Sequence, residues 1–133
     1  MIQQIFVNLP VRDLARSIAF FSALGFSFDA KFTNENATCM ILGENMFAML
    51  LVEPFFQGFT RKPVADAHKA TEVIVAMSME SRARVEQLVA TAIAAGARTP
   101  VAAIDHGFMY QHGFEDADGH QWELFHMDSS AQG

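Results

Sequence analysis

The chain has 133 residues, 51% hydrophobic and 18% charged, which suits one compact domain with a real core and excludes a large multidomain architecture. Nine Lys and Arg against fifteen Asp and Glu leave a net charge of −6, which repels phosphate backbones and anionic membrane surfaces and argues against nucleic acid as a partner. The apolar residues come in short periodic runs with no continuous stretch of about twenty, so neither disorder nor a membrane span fits.

Thirteen Phe and eight Met stand beside a single Tyr and a single Trp, more large apolar surface than a two-layer core of this size needs. The N-terminal MIQQIFVNLPVRD has no basic region ahead of an apolar run, and it reads as an untargeted, cytoplasmic chain. The lone Cys39 has no partner for an internal disulfide, and its apolar neighbours in TCMIL mark a buried structural thiol.

In chain order, Ile5, Val7 and Leu9 alternate with Gln4, Phe6 and Asn8, the period of a strand with one packed face, and Pro10 is expected to end it. Asp13 fits as the N-cap of LARSIAFFSAL, in which Leu14, Ile18, Phe21 and Leu24 fall at helical spacing and Gly25 supplies the stop. Three apolar runs follow, Phe26 to Phe32, Ala37 to Leu42 and Met46 to Val52, separated by turn residues in the manner of a strand meander. From Glu53 to Ala70 the periodicity breaks at Pro54, Gly58 and Pro63, marking a long linker or a lid, with Phe55, Phe56 and Phe59 available to cap a cavity or to meet a second subunit.

The pattern then begins again. Val73, Val75 and Met77 alternate, Ser81 can cap the helix ARVEQLVATAIAAG ending at Gly96, and strand-like runs follow at Ala97 to Val101, Phe108 to Phe114 and Gln121 to Met127. The chain thus reads as an α+β fold of two βαβββ modules, 2–53 and 71–128, joined by 54–70 within a single domain over 1–133. Each helix covers one face of a four-stranded sheet; if the two mixed sheets curve towards each other, their other faces bound a cavity that the surplus Phe and Met line.

VNLPVRDLARSIAFFSALGF resembles the first strand and helix of the vicinal oxygen chelate superfamily, which includes glyoxalase I, extradiol dioxygenases, fosfomycin-resistance enzymes and bleomycin-resistance proteins. FEDADGHQWELFHMD resembles its final hairpin, in which a turn leads into a strand carrying a metal-binding Glu. The resemblance implies a small-molecule ligand, a homodimer, and a divalent metal serving lyase or dioxygenase chemistry. It also admits a metal-free alternative that sequesters its ligand as bleomycin-resistance proteins do. Position by position, it implies Glu123 as a metal ligand, with Glu72 at the comparable place on the second module's first strand. Phe6 stands where a His would typically be.

The second module also holds His106, His112, His120 and His126, with no Lys or Arg after Arg98. If the DADG turn sets Glu115 opposite His120, His112 faces Glu123 and Tyr110 faces Phe125, giving one polar cluster in which His112 and Tyr110 move protons. A slip of one residue puts Gln111 and Gly113 there instead. Phe6, Asn8 and Phe125 are expected to line the cavity.

Overall fold

The same opening recurs twice at atomic detail. In the computed structural model, which describes residues 1–128, helix α1 (Leu14–Ala23) starts at Asp13, whose side chain accepts from the Arg16 N–H at 3.1 Å. Helix α3 (Arg82–Ala94) starts in the same way at Ser81, which accepts from the Arg84 N–H at 3.1 Å. Both helices end on a left-handed glycine, Gly25 at φ 99° and Gly96 at φ 106°. The residue after each glycine donates back into the last turn, Phe26 to the Phe21 carbonyl at 3.0 Å and Ala97 to the Ala92 carbonyl at 2.9 Å.

Around these helices the chain forms two compact units, the first Met1–Ala65 and the second beginning at Asp66. The division falls inside the segment expected to connect two modules, and the last five positions of the expected 1–133 domain lie outside the described residues. No helix among the described residues is long and apolar enough to cross a membrane.

The first unit holds β1 (Ile5–Val11), α1, β2 (Ser27–Asp29), β3 (Ala37–Gly43), β4 (Met46–Val52) and the short helix α2 (Glu53–Gln57). Its sheet has the order β1-β4-β3-β2, with β1 parallel to β4 and the other pairs antiparallel. Alternation puts Leu9, Val11, Ala48, Leu50, Thr38 and Met40 on one face, where all are buried together with Phe21 of α1.

Two expectations need correction here. Pro10 does not end β1, which runs through it to Val11; β1 is an edge strand, so a missing N–H is tolerated on its outer side. The run to Phe32 is strand only over Ser27–Asp29, because the Asp29 side chain accepts from the Lys31 N–H at 3.0 Å and folds Ala30–Phe32 into a 3₁₀ turn.

The second unit holds β5 (Ile74–Ser78), α3, β6 (Ile104–Asp105), β7 (Met109–Glu115) and β8 (Gln121–Met127), in the sheet order β5-β8-β7-β6. Val85, Leu88, Val89 and Ala92 of α3 are buried, as are Phe114, Trp122 and Leu124 on the helix-side face of the sheet. The strand expected at Ala97 to Val101 is reduced to a single bridge, Arg98 with Glu115, and β6 forms later and shorter. Neither sheet closes into a barrel; each keeps two edge strands.

Candidate functional site

The hairpin that carries the expected ligands closes one residue away from the register that the sequence suggested. Asp116 N–H donates to the His120 carbonyl at 3.0 Å and Gly119 N–H to the Asp116 carbonyl at 3.0 Å, so the loop holds three residues, with Gly119 at φ 87°. The Asp116 carboxylate fixes that turn. One oxygen accepts from the Asp118 and His120 amides, each at 3.0 Å, and the other accepts from the Trp122 indole N–H at 2.9 Å. Burial raises the Asp116 pKa, while His120 and the Trp122 hydrogen bond oppose that shift.

This register pairs Glu115 with Gln121, Gly113 with Glu123, Gln111 with Phe125 and Tyr110 with His126. Of the two registers that the sequence allowed, the one facing His112 with Glu123 and Tyr110 with Phe125 is therefore not adopted, and the one-residue slip that puts Gln111 and Gly113 there is. His112 pairs with Leu124, on the helix side of the sheet. Tyr110 lies on that same side, with the Arg82 guanidinium of α3 5.7 Å from its ring centre; burial, and then the Glu86 carboxylate, raise its pKa. Neither side chain shares a face with Glu123, which alternates with the buried Trp122 and Leu124.

On the face turned away from α3, Glu123 stands between Gln121 and Phe125 along β8, opposite Gly113 on β7 and Ala76 on β5. Glu72 is not beside it: this exposed residue precedes β5, four positions before the residue that pairs with Glu123. In extended chain that offset is roughly 13 Å. In the first unit, Phe6 and Asn8 share the face turned away from α1, both exposed. Parallel pairing sets Phe6 beside Phe47, their rings stacked at 4.8 Å between centres.

Phe47 was missed in the sequence, and Gly113 entered only as the outcome of a one-residue slip. A period-two reading of MFAMLLV already puts Phe47 on the face opposite Ala48 and Leu50, but only the β1–β4 register brings it to Phe6.

The residues directly across from Glu123 are Ala76 and Gly113, which offer no ligating side chain. Among the described residues no three His, Cys, Asp or Glu side chains converge as a metal site.

Residues 3–43 match the family model described as bleomycin resistance protein-like N-terminal. A hypothetical protein of S. aureus is similar over 94% of both chains, at 26% identity and a TM-score of 0.80. A glyoxalase-related enzyme from Fulvimarina pelagi is similar at 19% identity and a TM-score of 0.78, over 94% of this chain and 88% of that one. A glyoxalase/bleomycin resistance protein/dioxygenase family enzyme from Burkholderia phytofirmans PsJN gives 18% identity and a TM-score of 0.76, over 92% and 96% of the two chains. A search of curated proteins finds no match.

Proposed function

We propose that this chain, which has the fold of the vicinal oxygen chelate superfamily, is a metal-independent binder of a small, partly aromatic molecule bearing a cationic or hydrogen-bond-donating group. The observation that carries this reading is the setting of Glu123. It is a half-buried carboxylate with a glycine and an alanine across from it and Phe125 two positions along, so it can accept from a ligand, and among the described residues it belongs to no group of three metal-ligating side chains. The stacked Phe6 and Phe47, exposed and half-buried respectively, offer an aromatic surface in the first unit, and the net charge of −6 favours cationic ligands.

Calorimetric titration of EDTA-treated protein with metal-free bleomycin and a panel of aromatic ammonium compounds tests the reading. Saturable binding, weakened about tenfold (about 1.4 kcal/mol) by Glu123→Gln, is expected. Binding by no member of the panel, or binding only after a metal is added, overturns it. The competing reading, metal-assisted lyase or dioxygenase chemistry, draws on the match of Glu123 to the superfamily's carboxylate, and adding Mn²⁺, Fe²⁺, Ni²⁺ or Zn²⁺ to the same titration separates the two.

The proposal includes a homodimer. β1 and β5 are edge strands, one in each unit, and they expose Ile5 and Ile74 to 55% and 52%, apolar side chains that a second copy would cover. Light scattering on a sizing column should give twice the chain mass; a single-chain species refutes the dimer.

A further inference from the structure

Strand pairing lays out the sheet face turned away from α3 in rows. One row runs Ile104, Gln111, Phe125 and Ser78 across β6, β7, β8 and β5, and the next runs Gly113, Glu123 and Ala76 across β7, β8 and β5. Gln111 is the anomaly in its row. It is half-buried between an isoleucine and a phenylalanine, where a third apolar side chain would pack without any polar group to satisfy.

The Gln111 amide is held in one orientation. His106 follows β6 directly, and its backbone N–H donates to the Met109 carbonyl at 2.8 Å, which extends the antiparallel ladder by one residue. Alternation from Ile104 then puts the His106 side chain on the same face as Gln111, and its Nε2 lies 3.2 Å from the Gln111 Oε1. An amide oxygen only accepts, so the imidazole donates in this bond and the Gln111 amide nitrogen keeps both hydrogens. Among the described residues that nitrogen donates to no protein group.

Glu123 is the diagonal neighbour of Gln111, because the residue directly across from it, Gly113, stands two positions along β7. Diagonal side chains of an antiparallel pair are roughly 7–8 Å apart, a span that one ring with groups at opposite ends covers. Phe125 lies across from Gln111 and two positions along β8 from Glu123, so an aromatic side chain completes a triangle with an acceptor and an oriented donor.

We propose that Gln111 determines which ligand this face accepts: an aromatic ammonium compound with a hydrogen-bond acceptor at the far end of its ring. The ammonium donates to Glu123, the ring lies against Phe125, and the acceptor takes a hydrogen bond from the Gln111 amide nitrogen. A ligand whose far end carries only donors meets the amide hydrogens of Gln111 and is selected against. His106 is a positioning residue, acting through the Gln111 oxygen that it occupies. The inference rests on the reading of the preceding subsection and adds to it the polarity of the ligand's second end.

The test is calorimetric titration of the full chain with 4-acetylbenzylamine and 4-isopropylbenzylamine. Both carry an ammonium group on a ring and are close in shape, and only the first has an acceptor opposite the ammonium. Wild type should bind the acetyl compound several-fold more tightly. Gln111→Leu should erase that preference while still binding the isopropyl compound, which also reports that the variant is folded, and His106→Ala should reduce the preference without abolishing binding. Equal affinities in wild type, or a preference that survives Gln111→Leu, overturns the proposal alone when Glu123→Gln still weakens both compounds. A preference untouched by His106→Ala overturns the role given to His106. Binding of neither compound, or affinities unchanged by Glu123→Gln, overturns the reading of the preceding subsection and this inference with it.

Discussion

Replacing Trp122 by Phe should destabilise the protein far more than a conservative aromatic swap suggests. Trp122 is 1% exposed, its indole N–H donates to the Asp116 carboxylate at 2.9 Å, and its ring stacks on Phe114 with centres 6.5 Å apart. Phe keeps the stack and removes the donor from an acceptor that is itself buried. Losing a hydrogen bond to a charged group costs about 1.5–3 kcal/mol, and the lost ring volume adds about 1–2 kcal/mol, for a total of about 2.5–5 kcal/mol. Urea unfolding followed by far-UV circular dichroism measures it, and a cycle with Asp116→Asn isolates the pair, whose coupling should be at least about 1 kcal/mol. A total cost below about 1 kcal/mol, or additive single variants, would refute the claim that this bond holds the turn. Because Trp122 and Glu123 are neighbours pointing to opposite faces of β8, the same bond fixes where Glu123 stands.

Gly119→Ala should cost more than about 2 kcal/mol and lower the melting temperature by several degrees. The residue sits at φ 87°, and a Cβ there would meet the Ala67 carbonyl carbon and the His68 nitrogen at 2.7 Å each; an unchanged melting curve would show that the 67–68 segment is loose. Asp116 gives a pH signature. Burial raises its folded pKa above the usual 3.8, so its contribution is fully present below that value and is lost as pH rises through the folded pKa. The stability of wild type relative to Asp116→Asn should therefore fall as pH is raised from about 4, and a relative stability that rises contradicts the assignment. Cys39 is 2% exposed with its pKa raised by burial and then by Asp29, so a thiol reagent should label it only on unfolding; rapid labelling of native protein would place it elsewhere.

Much of the fold was legible because local chemistry and global packing agree. Asp13 and Ser81 are short polar caps set before apolar residues at helical spacing, Gly25 and Gly96 follow the last turns, and all four take the roles their types suggest. The edge strands were harder to read. β2 is cut short by the Asp29 side chain, and the run after Gly96 forms one bridge before bowing away from β7, neither of which periodicity registers. The candidate site depended on a single parity. A turn of three residues with a left-handed Gly119, held by a buried Asp116, differs by one residue from the loop that DADG suggested, and that one residue moved His112 and Tyr110 to the face packed by α3 while leaving Glu123 on the other. Phe6 was placed correctly beside Asn8 on the face away from α1, but its partner Phe47 follows from strand pairing that a sequence run does not record.

The central claim is that Glu123 serves a ligand directly and not through a metal. Calorimetric titration of bleomycin into EDTA-treated protein, repeated with one added equivalent of Mn²⁺ or Ni²⁺, tests it most directly. The expected result is saturable binding with the same affinity, within about twofold, in both conditions and a clear loss in Glu123→Gln. Binding that appears only with the metal, at about one metal per chain and abolished by Glu123→Gln, would contradict the claim.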